Sequence, residues 1–113
     1  MPPNNEIGLS TVECHLLLAI VGGPMHGYAI RDAVEAESSG TLKPRAGTLY
    51  RVIARMIARG YIAEVVTPKE EPKHPGRERR YYELTRAGRT VLSEEASRLT
   101  GVATLAHDRL GVS

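Results

Sequence analysis

The sequence predicts a mainly α-helical fold with a small β-hairpin, on three observations. Three consecutive segments before residue 60 carry apolar residues at helical spacing, and Gly, Pro and Ser clusters separate them. Residues 61–67 and 77–84 are two strand-like stretches on either side of a polar, Pro-rich loop, which is typical of a hairpin. After the hairpin, residues 86–110 form one long segment with apolar residues spaced alternately 4 and 3 apart, which predicts a terminal helix.

Composition indicates one domain of 113 residues in a reducing compartment. The chain has no Phe and no Trp, so the core must consist of Leu, Ile, Val, Ala and Met with Tyr at its edges. No apolar run approaches the ~20 residues of a membrane-spanning helix. Residues 1–8 lack the features of a signal peptide and are expected to form a flexible tail. With a single cysteine, Cys14, no internal disulfide can form, and we expect a cytoplasmic protein.

The first two helices have clear boundaries. Ser10 and Glu13 match a capping box, which predicts a helix from residue 11 to about residue 21. The following Gly22-Gly23-Pro24 ends that helix, because Pro cannot continue it. A second helix is predicted over residues 25–37, and Ser38-Ser39-Gly40 ends it.

The third helix, predicted over residues 46–59 with Gly60 as its C-cap, has two contrasting faces. Around Ile53, the residues Leu49, Met56 and Ile57 form the stripe expected to face the core. The opposite face contains three arginines at i, i+4 and i+8, and no acid accompanies them. Its members are Gly47, Thr48, Arg51, Arg55, Ala58 and Arg59. Such a face is either a solvated basic surface or a surface for an anionic partner.

The charge distribution favours the anionic partner. Net charge is only +2, but residues 41–89 carry twelve bases and five acids, whereas residues 1–40 carry one base and five acids. Concentrated positive charge of this kind is typical of nucleic-acid-binding proteins. A membrane-surface helix would instead expose bulky apolar anchors, and here the apolar face of the basic helix is needed for the core.

The last helix is predicted from Thr85, as its N-cap, to about Leu110. At 1.5 Å per residue this helix would be roughly 35–40 Å long, which is more than a small domain needs. Its apolar residues follow a heptad seam. They are Leu92, Ala96, Leu99, Ala103, Ala106 and Leu110. Two interpretations fit the seam, a dimerisation helix, which we favour, and a terminal helix folded back on the same core.

Three helices, a β-hairpin and a further helix follow the order of a winged helix-turn-helix domain (residues 9–84) with a C-terminal dimerisation helix (residues 85–113). In that arrangement the third helix enters the major groove of double-stranded DNA. We expect contacts with base edges from Gly47, Thr48 and Arg51, with Arg55 either contacting a base or clamping the backbone. Phosphate contacts are expected from Lys43 and Arg45, from His26, Gly27 and Tyr28 at the start of helix two, and from Lys73, Arg77, Arg79 and Arg80 in the wing.

Three stretches, LSTVECHLLLAIVGGPMHGYAIRDAV, PRAGTLYRVIARMIARGYI and GRERRYYELTRAGRTVL, resemble the PadR-like transcriptional regulators. The resemblance implies a homodimeric repressor on an inverted-repeat operator, dimerised through the C-terminal helix, often with help from the first helix. It also implies that Tyr50 faces DNA, although the helical wheel places Tyr50 about 60° from the centre of the core stripe. Some relatives bind a small-molecule effector, in one form between stacked tryptophans, and this chain has no Trp.

Other classes of function have weaker support in the sequence. No spacing of Cys14, His15, His26, His74 and His107 resembles a zinc site, so we expect no metal and no cofactor. No nucleophile motif or phosphate-binding glycine loop indicates an enzyme. The main alternative is a winged-helix protein-interaction module without DNA binding. Such a module would be expected to expose apolar or mixed residues on helix three, where this sequence has arginines.

Overall fold

A computed structural model of the chain describes residues 8–65 and 80–112, and all structural statements refer to these residues. They form four α-helices and one antiparallel sheet of three short strands. The mainly helical class with a small sheet is therefore confirmed. The elements in chain order are α1 (Thr11–Ala19), β1 (Met25–His26), α2 (Gly27–Glu37), α3 (Ala46–Ala58), β2 (Ile62–Val65), β3 (Tyr81–Leu84) and α4 (Arg86–Leu110).

Helix α1 begins with the predicted capping box. The Ser10 amide donates to Glu13 Oε1 at 2.9 Å, and the Glu13 amide donates to Ser10 Oγ at 3.2 Å. The helix ends at Ala19, two residues before the predicted end. The reason is that the amides of Ile20 and Val21 donate to carbonyls three residues back, which tightens the chain into turns before Gly23.

The start of helix two was predicted wrongly. Met25 and His26 are not helical but form β1, which pairs antiparallel with Tyr82 and Tyr81 of β3. This pairing satisfies backbone groups that would otherwise lack partners after the Gly-Pro turn. Helix α2 then begins at Gly27, with His26 as its N-cap. The Ala29 amide donates to His26 Nδ1 at 3.2 Å, so the imidazole replaces the oxygen of a usual capping side chain.

The hairpin is present between β2 and β3, with Ile62 opposite Leu84 and Val65 opposite Tyr81. Tyr61 and Arg80, which were predicted to be strand residues, lie just outside β2 and β3. The predicted loop and the wing residues Lys73, Arg77 and Arg79 lie outside the described residues, as do residues 1–7 of the predicted tail.

The core lies where α1, α2, α3 and the sheet meet, and it is aliphatic as expected from the composition. Its buried members are Leu9, Leu16, Leu17, Ile20, Ile30, Val34, Leu49, Val52, Ile53, Met56, Ile62 and Tyr82. Helix α3 supplies four of them.

The core stripe of α3 differs from the prediction at two positions. Val52 is 5% exposed and belongs to the core, whereas Ile57 is 38% exposed and does not. The buried set 49, 52, 53 and 56 follows the i, i+3, i+4, i+7 pattern of a face packed against several neighbours. Ile57 lies one position beyond that set, so the placement of Ile57 in the core was wrong.

Helix α4 is attached to the rest of the fold at its N-terminal part. The predicted N-cap Thr85 accepts a hydrogen bond from the Gly88 amide at 3.0 Å and donates one to the Gly60 carbonyl at 2.6 Å. Further along, the buried carboxylate of Glu95 accepts hydrogen bonds from the Leu9 amide and from Arg98. Residues 96–112 are all exposed, so the distal part of α4 does not fold back on the core.

Gly88 of α4 packs against Tyr61, in the turn between α3 and β2, and against Leu84 of β3. A Cβ atom at this position would overlap the backbone carbonyl of Tyr61, which cannot move without disturbing the Thr85 amide that donates to it.

We expect Gly88→Ala to destabilise the fold by about 1–3 kcal/mol through overpacking. Urea unfolding measures the change. Gly101→Ala is the matched control on the same helix, because nothing lies within 4 Å of a Cβ there. It should be neutral or stabilising, since Ala favours helix, and equal effects of the two changes would contradict the packing at Gly88.

Candidate nucleic-acid interface

The N-terminal half of α3 presents an exposed basic surface. Arg45, Gly47, Thr48 and Arg51 are all exposed. Arg45 is the N-cap of α3 and makes no side-chain capping bond, and the first turn contains no acid. Unsatisfied amides at a helix N-terminus favour anionic groups such as phosphates. This end of α3 can therefore accept both base and phosphate contacts.

Arg51 stands on this surface beside Thr48. Its Nη2 donates to Thr48 Oγ1 at 3.4 Å, a long contact, and no other described residue accepts from the guanidinium. Among the described residues no acid pairs with Arg51. A guanidinium with free donors fits the O6 and N7 acceptors of guanine, and a neighbouring hydroxyl can donate or accept.

Arg55 and Arg59, one and two turns further along the same face, have an acidic partner. Arg55 Nε donates to Glu13 Oε2 at 2.9 Å, and Arg59 Nη1 lies 4.0 Å from the same oxygen. The acid lies on α1, 42 residues before Arg55, so the sequence of α3 alone did not reveal it. The expected DNA contact of Arg55 stays a prediction, with Glu13 as a competing partner.

The start of α2 lies against α3 through Gly27 and Tyr50. Gly27 is buried, and a Cβ there would overlap the Tyr50 hydroxyl. The Tyr50 side chain is nonetheless partly at the surface, with the residue 44% exposed. Tyr50 is thus a packing residue and an exposed residue at once, which accounts for its intermediate position on the helical wheel. A glycine in the first turn of a helix, where it costs stability, was the available signal for this close approach.

His26 and Tyr28 are neighbours at the same end of α2. Their rings are 6.5 Å apart, and the His26 ring is also 5.6 Å from that of Tyr81 on β3, in both cases edge to face. Tyr28 is 66% exposed. Because His26 Nδ1 already accepts from the Ala29 amide, one of the amides expected to be free for phosphate is occupied.

Arg80, at the base of the wing, is exposed and pairs weakly with Glu64 across the hairpin. Its Nε lies 3.6 Å from Glu64 Oε2. An exposed pair of this kind contributes little to stability and does not prevent the guanidinium from meeting a phosphate.

The predicted seam on α4 is an exposed apolar band. Leu92 packs against the core, whereas the other five seam residues are exposed, with Leu110 at 73%. Two further exposed apolar residues, Val102 and Leu105, were missed because they do not fall on the 4, 3 spacing.

Two buried carboxylates make the stability of the fold depend on pH. Burial alone would raise the pKa of Glu13, but hydrogen bonds from the Ser10 amide and Arg55 outweigh it, so the pKa lies below its ordinary value of 4.5. The pKa of Glu95 is also lowered, mainly by the hydrogen bonds from Arg98. Both groups bind a proton less readily in the folded chain than in the unfolded chain. Their contribution to stability is therefore full above about pH 4.5 and is lost as the pH falls through the pKa values that the two carboxyl groups have in the folded chain.

We expect the free energy of unfolding to fall steeply below about pH 4.5, and Glu13→Gln with Glu95→Gln to flatten that fall. Urea unfolding between about pH 7 and pH 3 measures it. An equally steep acid limb in the double variant would contradict the assignment of these two groups. Glu94→Gln, at an exposed position on α4, is the control and should leave the acid limb unchanged.

Three further observations concern metal binding, the single cysteine and the membrane. Among residues 8–65 and 80–112, no three His, Cys, Asp or Glu side chains are close enough together to hold a metal ion. The half-buried Cys14 has a pKa raised by burial and then by Glu95, which keeps it in the thiol form. Within the same residues, no helix has the length and apolarity needed to span a membrane.

The fold of the chain is shared with several solved structures of bacterial regulators. A PadR-like transcriptional regulator from Bacillus cereus strain ATCC 14579 superposes with a TM-score of 0.72 at 21% identity, covering 91% of this chain and 94% of that one. A PadR family transcription regulator from Clostridium difficile R20291 superposes with a TM-score of 0.71 at 19% identity, covering 89% of this chain and 99% of that one. Bacillus subtilis PadR in complex with operator DNA superposes with a TM-score of 0.64 at 19% identity, covering 75% of this chain and 47% of that one. These likenesses establish the winged helix-turn-helix fold.

A protein encoded in transposon Tn4556 of Streptomyces fradiae, of 37.1 kDa and described as uncharacterized, is 43% identical over 89 residues. The match covers 76% of this chain, which spans only about a quarter of that protein (23%). Residues 16–94 match the family described as "Transcriptional regulator PadR-like family". That segment is more than half of the chain and includes α2, α3, the hairpin and the start of α4. The chain therefore belongs to the PadR-like family of transcriptional regulators.

Proposed function

We propose that the chain is a sequence-specific double-stranded DNA-binding regulator, a repressor that acts as a homodimer on an inverted-repeat operator. The observation that carries the proposal is the exposed N-terminal half of α3, where Arg51 has no acidic partner among the described residues and the helix N-terminus is uncapped. Family membership and the operator complex of Bacillus subtilis PadR support it. Such a role would require a cytoplasmic protein and no catalytic chemistry.

In this proposal α3 enters the major groove with Thr48 and Arg51 at base edges, and Gly47 allows close approach of the backbone. Arg45 and Lys43 then lie at the helix start, where phosphates are expected. Tyr28, Tyr50 and the wing arginines would add further backbone contacts. Contacts with the DNA backbone set affinity and register but do not distinguish sequences.

The homodimer would form through the exposed apolar band of α4. A helix that leaves Leu99, Ala103, Ala106 and Leu110 in water gains by covering them with a second copy. Exposed apolar residues near the end of α1, Leu18 and Val21, would extend the same interface. A dimer of this kind carries two copies of α3, which predicts half-sites about one helical turn of DNA apart or a multiple of that distance.

A small-molecule effector that releases the operator fits the proposal, and its chemistry is open. Stacking between tryptophans is not available to this chain, which has no Trp. An effector would therefore have to contact aliphatic residues of the α4 seam or tyrosines.

The alternative is a winged-helix protein-interaction module. On such a module the exposed face of α3 would be expected to be apolar or mixed, whereas Thr48, Arg51 and Arg55 occupy it here.

Selection of bound fragments from the source genome with the purified protein tests the two proposals. We expect enrichment of fragments with a shared inverted repeat. Failure to enrich any sequence at moderate salt would favour the interaction module.

A further inference from the structure

Glu13 is a buried carboxylate that joins the start of α1 to the basic face of α3. It is 5% exposed. Its Oε1 accepts from the Ser10 amide at 2.9 Å, and its Oε2 accepts from Arg55 Nε at 2.9 Å. One side chain therefore serves both the N-cap of α1 and a guanidinium on another helix.

The negative charge of Glu13 is not needed for the first of these roles. In a capping box a glutamine accepts the N-cap hydrogen bond as well as a glutamate does. A buried charge is also expensive, since desolvation offsets much of the attraction within a buried ion pair. The lowered pKa of Glu13 shows that the charge nonetheless stabilises the fold, and the charge has a second effect, which falls on Arg55.

The effect of Glu13 on α3 is a gradient of charge along one helix face. Arg51, Arg55 and Arg59 follow one another at intervals of four residues, about 6 Å along the helix axis. Arg51 has no acidic partner in the described part of the chain, whereas Arg55 and Arg59 share Glu13. The side chains of Arg55 and Arg59 remain 45% and 38% exposed, so solvent reaches them even while paired. Among the described residues, positive charge thus has no acidic partner at the N-terminal end of the face, whereas towards the C-terminal end one carboxylate partly offsets two guanidiniums.

We propose that Glu13 is a specificity-determining residue, which holds Arg55 away from DNA phosphates and so limits sequence-independent binding. This inference rests on the proposed function of α3. A freed arginine gains a phosphate contact on any duplex, and such contacts make up nearly all of non-specific binding. On the operator the gain is smaller, because α3 is held in register by its N-terminal half while Arg55 lies a full turn further along. Removing the charge of Glu13 therefore raises non-specific affinity more than operator affinity.

The test compares Glu13→Gln with the wild-type chain on a short duplex of scrambled sequence, by fluorescence anisotropy between about 50 and 200 mM salt. Glutamine preserves the capping box, so the comparison isolates the charge. We expect non-specific affinity to rise roughly threefold to tenfold, and the slope of log affinity against log salt to steepen by about 0.9, the value for one added phosphate contact. Glu35→Gln, an equal change of charge at an exposed position on α2, should leave the slope unchanged.

Two further variants assign the effect to Arg55. Glu13→Gln with Arg55→Gln should return the slope to the wild-type value, and Arg55→Gln alone should leave it unchanged, because the wild-type chain already withholds this arginine. The second measurement does not depend on the folding of any Glu13 variant. A lower slope for Arg55→Gln alone would overturn the inference, since Arg55 would then contact phosphate despite Glu13.

The remaining outcomes separate the inference from the proposed function. If the wild-type chain binds an operator and Glu13→Gln leaves both slope and non-specific affinity unchanged, Glu13 has only a structural role and the inference fails alone. If the wild-type chain binds no DNA at any salt concentration, the proposed function fails and the inference falls with it.

Discussion

Removing residues 100–113 is expected to convert a dimer into a monomer and to lower operator affinity by a factor on the order of 10² or more. The removed segment carries most of the exposed apolar band of α4, including Ala103, Ala106 and Leu110. Without the dimer each α3 must bind its half-site independently. The gain in affinity from linking two binding sites, typically about 10²–10⁴-fold, is then lost. Light scattering gives the oligomeric state and anisotropy with operator DNA gives the affinity.

A point substitution provides the matched version of this experiment. Ala103 lies on the predicted seam and Gly101 lies on the outer face of the same heptad, and both are exposed in the single chain. Ala103→Glu should place a charge in the interface and yield monomers, whereas Gly101→Glu should leave the dimer intact. A truncated chain that remains dimeric would refute the role given to α4.

Arg51→Ala is expected to weaken operator binding by about 1–3 kcal/mol per half-site, roughly 5-fold to 150-fold. The reason is that one guanine loses the two hydrogen bonds that the guanidinium donates to it. The preference for guanine should therefore relax at one base position in each half-site. Binding to a panel of operators substituted at single positions measures the effect. The loss should be large for the wild-type operator and small for an operator already changed at the contacted position.

Arg51→Lys separates base recognition from charge. Lysine keeps the positive charge but lacks the planar fork that contacts O6 and N7 together. Non-specific affinity should therefore be retained while preference at that position is reduced. If Arg51→Ala instead weakens binding equally on every sequence and Arg51→Lys restores it, Arg51 is a phosphate contact.

The parts of the fold that follow from local chemistry were predictable from the sequence. The capping box of Ser10 and Glu13, the N-cap at Thr85 and the bounds of α4 each depend on residues within a few positions of one another. The strand β1 was not predictable in this way. It consists of Met25 and His26 and exists because β3, more than 50 residues later, offers it partners.

The candidate site was predictable in its residue types but not in its pairing. Periodicity placed Thr48, Arg51 and Arg55 on one exposed face of α3, where the structure has them. It did not show that Glu13 on α1 pairs with Arg55, because an ion pair between distant segments leaves no periodic signal. The same limit explains Ile57, since which side of an apolar stripe is covered depends on how neighbouring helices pack.

The most direct test of DNA recognition is the ratio of affinities for a selected genomic fragment and for the same duplex with a scrambled sequence. Both constants should be measured by anisotropy in the same buffer near physiological salt, because each depends strongly on ionic strength. A dimeric operator-binding regulator predicts a ratio on the order of 10³ or more. A ratio near one, or no binding to either duplex, would contradict sequence-specific recognition by α3.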